Sequence, residues 1–115
     1  MSATASNIVL KAYDLLKHSI PILKKLPREQ KFLLGDRIQN KISDLLELLV
    51  ETYYSPRPQK PALLAKVNIT LETLRYYVRL LYELGYYNST TYGQLAERIN
   101  ELGKMCGGWL KSLQR

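Results

Sequence analysis

The sequence is poor in the residues that form disulfides, metal sites and catalytic centres. It contains one cysteine, Cys106, and one histidine, His18, among 115 residues. A single cysteine excludes an internal disulfide and is typical of a reducing compartment, so a cytoplasmic location is expected. A metal site needs several His, Cys or clustered carboxylate ligands at defined spacing, and because no such set occurs, no metal is predicted.

Long apolar runs and phosphate-binding loops are also missing. No stretch approaches the roughly 18 consecutive apolar residues that indicate a membrane span. The opening MSATASNIVLKAYD has no basic region followed by an apolar run, so neither a signal peptide nor a membrane partner is predicted. No glycine-rich phosphate loop occurs, and Cys106 falls in a core register where an inert thiol is expected. We predict a protein that is not an enzyme and has no cofactor, although a catalytic pair among the ten acidic residues stays open.

Positive charge is what the sequence has in excess. Seventeen Lys and Arg oppose ten Asp and Glu, which gives a net charge of +7. A field of that sign attracts polyanions such as nucleic acid, an anionic membrane or an acidic protein. The alternative is that the charge serves only solubility.

Apolar residues recur at helical spacing along most of the chain, and no stretch alternates with period two. We predict one domain over 1–115, built from helices at about 6–25, 27–53, 61–85 and 91–113. The fold class is all-α, an antiparallel up-down-up-down four-helix bundle. The predicted core residues are Val9, Ala12, Leu16, Ile20 and Leu23; Leu34, Ile38, Ile42, Leu45 and Leu49; Leu64, Val67, Leu71, Leu74, Val78 and Leu81; and Tyr92, Leu95, Ile99, Leu102, Cys106, Trp109 and Leu113.

Proline, glycine and capping residues indicate how these helices begin and end. Pro21 is expected to kink or interrupt the first helix. The stretch SPRPQKP, residues 55–61, is predicted to be a non-helical loop. Gly85 is expected to end the third helix, and Thr91 with Gln94 matches the capping-box pattern for the start of the fourth.

The third predicted helix carries a second face beside its core stripe. Its sequence TLRYYVRLLYELGYY, residues 73–87, places Arg75, Arg79, Tyr82 and Tyr86 at steps of four, three and four. Arginine and tyrosine together suit a protein interface or a nucleic-acid contact. The alternative is that the tyrosines are half-buried core residues with solvated hydroxyls. The interface interpretation requires that the arginines are not paired with carboxylates of their own chain and that the rings are not buried.

A basic cluster lies around the connection between the first two helices, with two acidic residues, Glu29 and Asp36, among its cations. The later half of the second helix is acidic instead, which opposes the preference of the helix dipole. This arrangement suggests that the charges serve a partner or another subunit, although a solvated face stays open. The cluster consists of Lys24, Lys25, Arg28, Lys31, Arg37 and Lys41.

The fourth helix contains three glycines in ELGKMCGGWLKSL, residues 101–113. Each glycine inside a helix costs about 1 kcal/mol relative to alanine, yet the apolar register continues to Trp109 and Leu113. We interpret Gly103, Gly107, Gly108 and Trp109 as packing residues that allow a close approach, within the bundle or between subunits. The other interpretation is that the helix ends near Gly107.

Three stretches, LPREQKFLLGDRI, LRYYVRLL and ELGKMCGGWL, occur in this order along almost the whole chain. Together they resemble the accessory variability determinant (Avd) of diversity-generating retroelements. They also resemble the wider family of four-helix-bundle proteins encoded in intervening sequences of bacterial ribosomal RNA. Gly103, Gly107, Gly108 and Trp109 match the family's fourth-helix ending.

The resemblance implies a homopentameric ring with a basic surface and no enzymatic activity. It implies binding to a reverse transcriptase and to RNA or DNA, in support of mutagenic cDNA synthesis from a template RNA. Arg75 and Arg79 match the arginines of the third-helix motif, and would contact the polymerase or nucleic acid. The alternative is an intervening-sequence type of protein that serves as a protein–protein interaction module without nucleic-acid binding.

Overall fold

The computed structural model describes residues 3–114, and side chains from residue 7 onward. Its helices are Ala3–Lys24, a composite second helix over 28–54, Lys60–Glu83 and Ser89–Leu113. Over these residues no strand is formed, and each predicted helix boundary lies within three residues of the observed one. Pro21 is exposed and does not interrupt the first helix. The expected interruption is therefore absent, although proline has no N–H to donate within the helix.

The four helices form a four-helix bundle with extents of 46 × 23 × 19 Å. Each helix packs against its neighbours in sequence, and the first also packs against the fourth. Side-chain contacts show that the second and third helices run in opposite directions, because Thr52 near the end of the second contacts Lys60 at the start of the third, and Arg37 near the start of the second contacts Tyr77 in the later part of the third. The fourth helix contacts the third through Asn100 and Arg75, and the first through Glu101 and Lys11.

Leucine, isoleucine and valine side chains fill the interior. All six predicted core residues of the third helix are buried, and so are Ile38, Ile42, Leu45 and Leu49 of the second. In the first helix the prediction was partly wrong, since the buried stripe includes Ile8, Leu15 and Ser19 where Val9, Leu16 and Ile20 were expected. Buried Ser19 satisfies its hydroxyl by donating to the Leu15 carbonyl at 2.7 Å.

The second helix begins irregularly. An α-helical turn, Arg28–Gln30, is followed by a π-helical turn, Lys31–Gly35, and then by the regular helix Asp36–Tyr54. Gly35 is buried, and a Cβ there would lie 3.2 Å from Leu26 Cδ1 and 3.3 Å from the Gln30 carbonyl oxygen. The extra residue of the π turn changes the register, so that Leu34 is only half-buried while Phe32 and Leu33 face solvent.

The connection between the second and third helices is not the loop that the prolines predicted. Arg57–Gln59 forms a 3₁₀ turn, and the third helix already begins at Lys60. Two cations of this segment bind helix C-termini: Lys60 Nζ donates to the carbonyls of Thr52 and Tyr53 at 2.7 and 2.8 Å. Arg57 donates to the carbonyls at the end of the fourth helix. Both contacts satisfy terminal carbonyl groups and favour the helix dipole.

The connection between the third and fourth helices is built on Gly85 and Asn88. Gly85 has φ of +83°, and hydrogen bonds from its N–H and from the next N–H to the last turn form a Schellman motif. The predicted glycine stop is therefore confirmed. The predicted capping box is wrong, because the N-cap is Asn88, whose side chain accepts from the Thr91 N–H at 2.9 Å.

Candidate functional site

Both arginines of the third-helix face are paired with carboxylates of their own chain. Arg75 Nη1 lies 2.8 Å from Glu72 Oε2 and Arg79 Nε lies 3.1 Å from Glu83 Oε1. Arg75 Nε also donates to Asn100 Oδ1 of the fourth helix at 3.0 Å. The requirement that these arginines be left without a carboxylate is not met. The pairs are spaced i,i+3 and i,i+4, so this signal was present in the sequence.

The tyrosines of the same face are partly used inside the subunit. The rings of Tyr82 and Tyr92 stack at 4.5 Å, and both residues are half-buried. Tyr87 donates its hydroxyl to the Val78 carbonyl, and burial raises the pKa of that phenol well above its ordinary value. Tyr76 stays exposed. Tyr86, the other tyrosine of the predicted face, is half-buried against the core, so the half-buried alternative describes both Tyr82 and Tyr86.

The four predicted packing residues of the fourth helix divide into two groups. Trp109 is buried, with the Lys60 ammonium 5.7 Å from its ring centroid. Gly103 makes room for the side chain of Arg75, since a Cβ at Gly103 would lie 2.7 Å from Arg75 Nη2. A Cβ at Gly107 or Gly108 would meet no atom within 4 Å. Close packing within the described chain therefore requires a glycine at neither position, and both positions are open either to solvent or to another subunit.

The basic cluster of residues 24–41 differs from the third-helix face in its pairing. Within residues 7–114 none of its six cations forms an ion pair, and Arg37 makes only a long hydrogen bond of 3.4 Å to the Tyr77 hydroxyl. Four of the six are exposed, and Lys31 and Lys41 are partly exposed. Six cations and two acids give this segment a net charge of +4, more than half of the +7 of the chain.

Large apolar side chains lie at the same end of the bundle as the basic cluster. Phe32 and Leu33 are presented by the π turn, and Leu80 and Leu84 by the end of the third helix. Sequence analysis did not identify them as surface residues. For Leu80 the signal was available, because the unbroken core stripe of the third helix leaves it on the opposite face.

A groove between the first and fourth helices has a balanced charge. Its volume is about 580 Å³, and it contains His18, whose Nε2 atom is buried without a hydrogen-bond partner. Desolvation, and then the nearby Arg98, lower the pKa of His18. Three cations and three carboxylates line the groove beside the histidine, so it has no preference for a polyanion. The charged residues are Lys11, Asp14, Lys17, Glu97, Arg98 and Glu101.

The remaining chemistry of the described chain is limited. Cys106 is buried, and burial raises the pKa of its thiol to about 11, which disfavours the reactive thiolate. In residues 3–114 no group of three or more His, Cys, Asp or Glu is arranged to hold a metal ion. Across the same residues, no helix is both long and apolar enough to span a bilayer.

These features define a four-helix-bundle protein with a concentrated, unpaired basic cluster at one end. The bAvd-like family model matches residues 7–113, which span the bundle apart from the first turn of the first helix. The chain therefore belongs to the bAvd-like family. No curated protein matches it.

Proposed function

We propose that this chain is a non-catalytic, cytoplasmic accessory protein of a diversity-generating retroelement, which binds the reverse transcriptase together with RNA or cDNA. The observation that supports this most strongly is the basic cluster. Within the described residues its six cations have no carboxylate partner, while Arg75 and Arg79 do. Unpaired surface cations pay no cost of breaking an internal pair when they bind phosphate.

The proposed mechanism is electrostatic. Assembly into a homopentameric ring would repeat the net charge of +7 five times and give about +35. Such a field concentrates a polyanion near the ring and accelerates its association. It would hold template RNA or new cDNA beside the polymerase without base-specific contacts, because cations that contact phosphates carry no sequence information.

Arg75 and Arg79 do not meet the requirement stated for the third-helix face, so as proposed contacts they rank behind the cluster. Their side chains are 35% and 60% exposed, and an exposed ion pair contributes only about 0–1 kcal/mol. A phosphate can displace such a carboxylate, and Arg79 has the fewer contacts to lose. Arg75 is also fixed against Gly103 and Asn100, so its release costs more.

Co-purification with the reverse transcriptase tests the proposal. The double variant Arg28→Gln/Lys31→Gln removes two cluster charges at surface positions. The double variant Lys66→Gln/Lys104→Gln is the matched control, because it removes two exposed charges outside the cluster. We expect the cluster variant to lose most of the captured polymerase and its RNA while the control retains them. If both variants capture the polymerase and RNA equally well, or lose them equally, the assignment of the cluster as the binding site is contradicted.

A second candidate function is a protein–protein interaction module that does not bind nucleic acid. The exposed side chains of Phe32 and Leu33 beside the cluster favour it, since apolar surface contributes to protein interfaces. Nuclease treatment during the same co-purification separates the two functions. A module of this kind would retain the polymerase and would show no affinity for isolated RNA.

A further inference from the structure

Three exposed leucines lie where the second and third helices meet, at the basic end of the bundle. Leu33 is 61% exposed, Leu80 41% and Leu84 54%. The hydrogen bond between Arg37 and Tyr77 shows that these two residues lie side by side along the antiparallel second and third helices. Leu33 lies one turn before Arg37, and Leu80 and Leu84 lie one and two turns after Tyr77, so all three leucines are on the same side of that contact.

Arg37 borders this apolar surface, and Lys41 lies one turn beyond it, on the other side of the Arg37–Tyr77 contact. Arg37 and Lys41 lie one turn apart on the second helix, and within residues 7–114 neither forms an ion pair. The nearest acid of the third-helix end, Glu83, is already paired with Arg79 at 3.1 Å. The surface therefore combines aliphatic side chains with two cations that form no ion pair within residues 7–114.

We propose that the groove between the second and third helices, formed by Leu33, Leu80 and Leu84 around Tyr77, with Arg37 at its border and Lys41 one turn beyond, binds an acidic amphipathic helix of a protein partner. The apolar face of that helix covers the leucines, and its Asp or Glu residues pair with the two cations. Helix-in-groove binding of this kind uses anchors one turn apart, and the groove between two packed helices accepts a third helix by ridge-into-groove contact.

The charge of the groove selects an acidic partner, and its leucines select a protein. Nucleic acid would use the cations but leaves aliphatic side chains without an apolar counterpart, since its outer surface is phosphate and sugar. An anionic bilayer offers both kinds of contact, but the strength of bilayer binding scales with the buried apolar area, and three leucines supply little of it. This inference goes beyond the proposed function, because it gives Arg37 and Lys41, which belong to the basic cluster, a protein ligand.

A fluorescent peptide of about 15 residues, or four helical turns, provides the probe. It carries leucines at i, i+3, i+4 and i+7 with glutamates beside them, and a scrambled peptide of the same composition is the control. We expect the wild-type protein to bind the patterned peptide at least about tenfold more tightly, equivalent to about 1.4 kcal/mol. Equal affinity for the two peptides would overturn the proposal.

Matched variants place the site. Leu80→Ser/Leu84→Ser removes two anchors from the surface and should lower peptide affinity at least about tenfold, while the circular dichroism spectrum stays unchanged. Ile69→Ser is the control, since Ile69 is 67% exposed on the same helix, about three turns before Leu80, and it should bind as the wild type does. Unaltered peptide binding by the leucine variant would refute the site.

The remaining measurements separate this site from other ligands. Affinity for single-stranded RNA should be unchanged in Leu80→Ser/Leu84→Ser, and vesicles containing phosphatidylserine should not bind in a way that depends on these leucines. Joint loss of RNA and peptide binding would assign the leucines to nucleic acid, and leucine-dependent vesicle binding would assign them to a membrane. Either outcome would overturn the proposal. Failure of RNA binding in the wild type would contradict the proposed function alone.

Discussion

Replacing Gly107 and Gly108 by alanine tests whether the fourth helix is open to solvent or covered by another subunit. Both residues lie inside the helix Ser89–Leu113, and a Cβ at either position would meet no atom of the described chain within 4 Å. Each substitution should therefore gain the helix propensity of alanine, about 1 kcal/mol. For a domain of this size the double variant should melt about 6–12 °C higher.

Gly103→Ala is the contrasting substitution on the same helix. Its new Cβ would lie 2.7 Å from Arg75 Nη2, so the guanidinium must rotate away from Glu72 and Asn100. The loss of these surface contacts, about 0–1 kcal/mol, offsets the gain in propensity, and the melting temperature should hardly change. Displacement of the arginine should be visible in the NMR signal of its Nε–H.

Thermal unfolding followed by circular dichroism measures the stability of all three variants, and light scattering measures the mass of the particle. A lower melting temperature for Gly107→Ala/Gly108→Ala, at any protein concentration, would refute the reasoning from open space. A decrease in both mass and stability would show that these glycines form a contact between subunits.

Three further substitutions or measurements probe the packing. Trp109→Ala should lower the free energy of unfolding, measured by urea denaturation, by about 3–5 kcal/mol, because the indole is buried and contacts the ammonium of Lys60. A loss below about 1 kcal/mol would contradict the packing role of Trp109. Asn88→Ala should cost about 1 kcal/mol as a lost N-cap, while Gln94→Ala, at the predicted but unused capping position, should not. Cys106 should resist a thiol reagent at pH 8 until the protein unfolds, and rapid labelling of the native protein would contradict its burial. Because the pKa of its thiol rises from 9.0 to about 11 on folding, the stability that the protonated thiol contributes is complete below pH 9 and is lost as pH rises towards 11.

The third helix shows how much of the fold could be predicted from sequence. Its apolar positions alternate steps of three and four without a glycine or an internal proline to interrupt them, and all six are buried. The buried face of the first helix was harder to predict, because in adjacent apolar pairs such as Leu15 and Leu16 either residue fits a helical stripe of buried positions. Ser19 was missed because its polarity argues against the core, although a bond to its own helix satisfies the hydroxyl.

The start of the second helix could not be predicted from periodicity. A π turn adds one residue to a helical repeat, and no pattern over five residues distinguishes it from an α-helical turn. The exposure of Phe32 and Leu33 follows from that turn and was therefore missed.

The candidate site was predicted unevenly. The basic cluster was recognised from composition alone, since six cations within 18 residues outnumber their acidic neighbours. The pairing of Arg75 and Arg79 was readable from the positions of Glu72 and Glu83 on the same helix. It was missed because the arginines were considered together with the tyrosines rather than with the carboxylates.

The central claim is that the cations of residues 24–41 are unpaired because they bind a polyanion outside the subunit. The salt dependence of single-stranded RNA binding tests it most directly, because the logarithm of the affinity falls with the logarithm of salt concentration by about 0.7 for each phosphate neutralised. For Arg28→Gln/Lys31→Gln the account predicts a slope smaller than that of the wild type by about 1.4, with no change for Lys66→Gln/Lys104→Gln. An unchanged slope in the cluster variant would contradict the account.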